Sequence, residues 1–166
     1  VFIHPPRLTI GNEKMELKRL PELVGRPFDT TLTLARVILT GVFERFPRLR
    51  MVGAHVGGAI TLLPGRQDFG HELRDDDSFG KWGANPLTQP PSAYLGELYV
   101  DTMCFHPPAI LCAVATVGVD HVVLGSDFPP VHVPLSRSLE MVNRLPLHPR
   151  DKRKLLGENA ARLLNL

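Results

Sequence analysis

Cysteine is nearly absent from this chain: Cys104 and Cys112 are the only two among 166 residues. Two thiols, one near a strand end and one on a helix, make no disulfide framework, and a reducing, cytoplasmic setting is expected. Cys104 reads as a buried, inert thiol. No apolar run approaches the ~18–20 residues that a membrane span needs, so no membrane partner is expected. Neither sign of charge dominates, since 19 Lys and Arg against 17 Asp and Glu leave a net charge of +2. The basic residues are scattered, which argues against nucleic acid as a partner. No signal-peptide pattern, internal repeat or low-complexity tract is visible.

What the chain does have is ordinary globular composition, with 43% hydrophobic and 22% charged residues. Its length supports one domain with a sizeable core. The 16 Pro and 14 Gly fall between periodic segments, as loop punctuation does. Strands are predicted over 1–4, 49–54, 97–102 and 121–126, where apolar residues run without polar alternation. Between them the period becomes helical. Leu32, Ala35, Leu39, Val42, Phe43 and Phe46 recur at steps of three and four and predict one helix over 27–46. Pro27 suits its first turn and Asp29 its positive end. Further helices are predicted over 15–24 (broken near Pro21), 57–74 (kinked at Pro64-Gly65), 92–95, 107–117, 135–145, 151–156 and 158–164. Residues 75–91 read as a surface loop, with Asp75-Asp76-Asp77 as a solvated turn. Strand and helix alternate four times, which predicts an α/β fold of four βα units with parallel strands and right-handed crossovers. Four such units are half of a (β/α)8 TIM-type barrel. Val1 opens directly on an apolar strand, as if the chain were cut from something longer.

Three of the apolar runs end in a chemically useful residue. Val1-Phe2-Ile3 ends in His4, Met51-Val52-Gly53-Ala54 in His55, and Val122-Val123-Leu124-Gly125-Ser126 in Asp127. In a parallel barrel the C-terminal strand ends share one rim, and that rim carries the active site. Two imidazoles and a carboxylate on one rim are the donor set for a divalent cation, with a general acid or base beside it. Gly57-Gly58 after His55 allow a tight turn and close backbone approach. Asp101, at the end of the third run, is expected to be a hydrogen-bonded structural residue. His106 reads as a loop or cap residue, and His71, His121 and His148 as surface residues.

Seven stretches resemble, in order, the metal-dependent amidohydrolase-related family: 20–27 (Leu-Pro-Glu-Leu-Val-Gly-Arg-Pro), 41–47 (Gly-Val-Phe-Glu-Arg-Phe-Pro), 54–58 (Ala-His-Val-Gly-Gly), Gly65-Arg66, 91–95 (Pro-Ser-Ala-Tyr-Leu), 124–129 (Leu-Gly-Ser-Asp-Phe-Pro) and 157–163 (Gly-Glu-Asn-Ala-Ala-Arg-Leu). The resemblance covers the fifth to eighth βα units of such a barrel, so residues 1–166 are expected to be a partial barrel domain whose N-terminal half is absent. It implies that His4 and Asp127 bind a divalent metal, with Zn²⁺ expected, and that His55 is the catalytic proton-transfer residue. It implies that Arg66 reaches across a homodimer interface to hold a substrate carboxylate, a task suited to a bidentate guanidinium. The implied activity is that of a metal-dependent carbon–carbon lyase decarboxylating a small unsaturated or aromatic carboxylic acid. The alternatives are a metal-dependent hydrolase of the same superfamily, or an inactive half-barrel that folds by association. The family's first strand ends in a metal-binding His-x-His pair. Here Val131-His132-Val133 has no second histidine, and it follows the last strand.

Overall fold

The computed structural model describes all residues except Glu16, Asp77, Phe79, Asn85, Pro86, Pro130 and Val131. Four strands, β1 (Phe2–Ile3), β2 (Met51–Gly53), β3 (Leu98–Asp101) and β4 (Val122–Val123), form one parallel sheet in sequential order. Phe2 pairs with Val52, Val52 with Tyr99, and Asp101 with Val123. A sheet that adds each new parallel strand beside the last, with helices between, is an arc of a (β/α)8 barrel. The ladders are shorter than the apolar runs. His4, Ala54-His55 and Leu124–Asp127 therefore lie beyond the last paired residues, at the C-terminal tips.

The helices are α1 (Arg26–Leu39), α2 (Val42–Arg45), α3 (Pro64–Glu72), α4 (Pro107–Val117), α5 (Leu135–Arg144), α6 (Pro149–Arg153) and α7 (Asn159–Leu164). The helix predicted over 27–46 is two helices. Gly41 adopts φ 70°, and the chain turns there before Val42 resumes the period. The segment predicted to be helical over 57–74 starts instead with two short 3-10 turns, and α3 begins at Pro64. Pro21–Gly25 is a wide π-type turn that runs directly into α1.

Strand alternation divides the core in two. Leu98, Val100 and Val122 are fully buried against the helices, with Leu34 and Ile38 of α1, Ile110 and Ala113 of α4, and Val142 of α5. Leu34 sits so close to Gly53 that a Cβ there would lie 2.6 Å from its Cδ1. Val52, Tyr99 and Val123 face the other way, and Ala160 and Leu163 of α7 cover them. Asn159, fully buried, anchors this cover by donating from Nδ2 to the carbonyls of Val119 (2.8 Å) and Val122 (2.7 Å). Beside it Arg162 and Lys154 both pair with Asp120. The stretch 157–163 thus acts as a clamp on the start of β4.

Two other quoted stretches meet as well. Glu44 Oε1 accepts from the Thr88 amide and hydroxyl and from the Tyr94 hydroxyl, which pins residues 88–94 to α2. Those donors hold the Glu44 carboxyl below its usual range, the Tyr94 hydroxyl first. Asp75 and Asp76 are exposed, and Asp76 accepts from the Ser78 amide in a solvated turn; Asp77 lies outside the described residues. His71 is not a surface residue: it is buried, edge-on to Trp82. His121 is half-buried against Tyr99, with ring centroids 4.7 Å apart. His106 and His148 are the residues before α4 and α6, and His148 Nδ1 accepts the Arg150 amide. Among the described residues no helix is long and apolar enough to cross a membrane.

Candidate metal and catalytic site

Each site residue is carried by a short segment leaving a strand tip. His4 leaves β1 into Pro5-Pro6. Its Nδ1 lies 3.0 Å from the Pro5 carbonyl oxygen. A carbonyl only accepts, so Nδ1 carries a proton, and in the neutral imidazole Nε2 presents its lone pair. The tautomer of a metal-binding imidazole is fixed by such a partner on the far nitrogen.

Asp127 ends the β4 tip. Its Oδ1 is 3.7 Å from His4 Nε2, too long for a hydrogen bond. A carboxylate oxygen and an imidazole lone pair so placed are two acceptors aimed at common space. The Asp127 side chain is only 12% exposed and that of His4 49%.

His55 completes the cluster. Its ring centroid is 5.3 Å from that of His4, and one ligand atom from each of His4, His55 and Asp127 falls within 4.8 Å of the others. His55 Nδ1 is buried and has no hydrogen-bond partner among the described residues. Burial pushes the His55 pKa down; Asp101 and Asp127 oppose this, while His4 and Arg26 add to it. His55 is therefore a neutral imidazole near pH 7. The donor set, the His4 tautomer and the shared space between Nε2 and Oδ1 all fit a divalent cation.

The backbone is strained at these residues. His55 (φ 56°), Val56 (φ 59°) and Asp127 (φ 57°) are all left-handed without being glycine. Each such residue costs of order 1–3 kcal/mol, and a β-branched residue there is a genuine outlier. The surroundings hold His55 and Val56 in place. Gly58 lies against the Pro27 carbonyl at the start of α1 and leaves no room for a Cβ. Thr31 Oγ1 accepts the Ala59 amide (2.8 Å) and donates to the Pro27 carbonyl (2.7 Å). The start of α1 is thus fastened to the turn that presents His55.

A cleft of about 400 Å³ opens over the cluster, lined by Phe2, His4, Ala54, His55, Asp101 and Asp127 among others. Asp101 is a residue whose part in the site the sequence reading understated. It is hydrogen-bonded, as expected, through Oδ1 to the amides of Val56 and Met103, both at 2.9 Å. It also forms part of the cleft wall. Burial pushes its carboxyl pKa up against those hydrogen bonds. The available signal was the same one that marked the other tips: Leu98-Tyr99-Val100 is an apolar run ending in a carboxylate. Arg26, which adds to the depression of His55, was missed too; a cation directly before Pro27 at the start of a helix facing the rim was its trace.

Arg66 does not join the cluster. It lies exposed on α3 and lines a groove with Leu39, Leu63 and Trp82. Cys104 is half-buried, and burial raises its thiol pKa, as an inert thiol requires. His132 is exposed between the last strand and α5, and Val131 beside it lies outside the described residues.

Comparison with known proteins shows the family and the fold. A family model described as Amidohydrolase matches residues 1–166. The 2-amino-3-carboxymuconate-6-semialdehyde decarboxylase of Dictyostelium discoideum is 33% identical over 169 residues, covering 100% of this chain and 45% of the relative. The crystal structure of 5-carboxyvanillate decarboxylase from Sphingomonas paucimobilis superposes with a TM-score of 0.83 at 25% identity, over 99% of this chain and 49% of that one. The 5-carboxyvanillate decarboxylase of Novosphingobium aromaticivorans, complexed with manganese and 4-hydroxy-3-methoxy-5-nitrobenzoic acid, has the same fold. Its TM-score is 0.82 at 22% identity, over 99% of this chain and 47% of that one. The chain thus spans less than half the length of the curated relatives it matches.

Proposed function

The chain belongs to the amidohydrolase family, and on that premise we propose that it carries the His4, His55, Asp127 rim of a metal-dependent decarboxylase. The observation that carries this reading is the convergence of those three side chains on one space, with His4 fixed in the ligand tautomer.

His4 Nε2 and an Asp127 carboxylate oxygen hold the cation. Zn²⁺ suits nitrogen and carboxylate donors, and one structural relative holds manganese. When bound, a divalent cation supplies Lewis-acid polarisation and a positive charge that attracts a substrate anion. His55 moves the proton. Its Nδ1 is shut away from the cleft, so Nε2 is the nitrogen that meets substrate. Neutral His55 takes a proton at Nε2 from water or a hydroxyl group and delivers it to the carbon bearing the carboxylate. That carbon becomes tetrahedral, its bond to the carboxylate breaks, CO₂ leaves, and the freed electron pair restores the double bond. The substrate class is a small unsaturated or aromatic carboxylic acid, as in the relatives' names. Arg66, placed outside its own chain's cleft, holds a carboxylate in the cleft of a second copy, which makes the working unit a homodimer.

The test is an assay of the full-length protein with Zn²⁺ or Mn²⁺ on 2-amino-3-carboxymuconate-6-semialdehyde and on 5-carboxyvanillate, with CO₂ release as readout. Metal-dependent CO₂ release supports the reading. Metal binding with hydrolysis of an ester or lactone and no CO₂ from any carboxylic acid overturns it in favour of a hydrolase.

A further inference from the structure

Asp101 lies at the junction of three strand tips. Oδ1 accepts from Val56, 45 residues earlier, and from Met103 in its own loop. The third tip, that of β4, packs on it from the side. A Cβ at Gly125 would stand 2.8 Å from the Asp101 Cβ, 2.9 Å from Cγ and 3.0 Å from Oδ2. The Gly125 amide, moreover, donates to Thr102 Oγ1 at 3.1 Å, which keeps that tip in place. The amide that Asp101 holds is the middle of the left-handed pair His55-Val56. Two non-glycine residues in that conformation persist only when their surroundings over-determine them.

We propose that Asp101 is a positioning residue, whose carboxylate oxygen ties the β2 and β3 tips together, with the β4 tip packed against its side chain, and locks the strained His55-Val56 turn so that the imidazole points over the cleft. It acts through its acceptor geometry and touches neither the reacting carbon nor the cation. Two consequences separate this from a simple packing role. Asn presents a carbonyl oxygen in the same place, so Asp101→Asn keeps the lock, whereas Asp101→Ala frees the Val56 amide. Gly125→Ala, in turn, leaves Asp101 chemically intact but pushes it off its partners.

The proposal rests on the decarboxylase reading only for the activity readout. The experiment is therefore amide hydrogen exchange of Val56 and Met103 in the full-length protein, wild type and the three variants, paired with metal content and, on 5-carboxyvanillate, kcat and KM. Asp101→Ala and Gly125→Ala are expected to raise exchange at both amides while metal content stays unchanged. They are also expected to lower kcat by about 10²-fold, the scale of a misplaced catalytic group, with KM nearly constant. Asp101→Asn restores protection and most of kcat. If the protein turns over no carboxylic acid, exchange alone decides. Val56 protection unchanged in Asp101→Ala, or lost in Asp101→Asn as fully as in Asp101→Ala, overturns the proposal. If Asp101→Ala does not fold, Gly125→Ala with an unaltered Val56 amide does so equally.

Discussion

His4 Nε2 and Asp127 Oδ1 face each other across 3.7 Å, both as acceptors, because the Pro5 carbonyl has already claimed the imidazole proton. With His4 neutral, two acceptors in that position repel unless a cation lies between them. His4→Ala or Asp127→Ala is therefore expected to remove most of the bound metal and the activity with it, since few protein ligands are available to compensate. Metal analysis beside turnover checks this. Wild-type metal content in the Asp127 variant would take that residue out of the site.

His55→Ala is expected to separate the two properties. Its proposed task is proton transfer, so the variant is expected to keep most of its metal while kcat falls by about 10²–10⁴-fold, the usual worth of a general acid or base. The paired measurement is the same, and turnover at the wild-type rate would make His55 structural.

The pH profile carries a second test of His55. Burial first, then His4 and Arg26, hold its pKa below the usual histidine value. The neutral form acts, so activity is present above that pKa and lost as the pH falls through it. The acid limb of kcat/KM is thus expected below the ordinary value of about 6.5. Arg26→Met removes a neighbouring cation and should move the limb upward. A limb that stays in place, or moves down, would show that Arg26 does not act on the imidazole.

Arg66 permits a mixing experiment. If it serves the cleft of a second copy, Arg66→Ala and His55→Ala are each inactive alone. Mixed and allowed to exchange subunits, they form heterodimers with one complete site. Random exchange should then recover roughly a quarter of wild-type activity. No recovery despite demonstrated exchange would place the function of Arg66 within its own chain or nowhere.

Asn159 is a prediction about stability alone. Asn159→Ala strips the Val119 and Val122 carbonyls of a buried donor. The expected loss is roughly 1–3 kcal/mol, read by urea denaturation, with metal affinity of the folded protein unchanged. Asn159→Asp, similar in shape but without the amide donors, should be no better.

How far the sequence foretold this molecule depends on the range of the interaction. His4, His55 and Asp127 were visible because each ends an apolar run, and the alternation of strand and helix puts such ends on one rim. The break at Gly41 was hidden because Val42, Phe43 and Phe46 continue the helical period across it. Strand lengths were overestimated because apolar residues continue past the last paired position. The double duty of Asp101 depends on an amide 45 residues away, and that of Asn159 on carbonyls about 40 residues away. Nothing in local composition announces either. His71 looked like a surface residue because its cover is Trp82, from a loop with no periodic pattern at all.

The left-handed backbone at His55 and Asp127 sets two selective pressures against each other at the same positions. A glycine there would relieve strain of order 1–3 kcal/mol at a cost of about 0.5–1 kcal/mol in chain entropy. A population screened only for heat resistance would thus drift toward glycine at the very residues proposed to do the chemistry. Survivors of such a screen would be sturdier but would lack the imidazole and the carboxylate that the proposed chemistry needs.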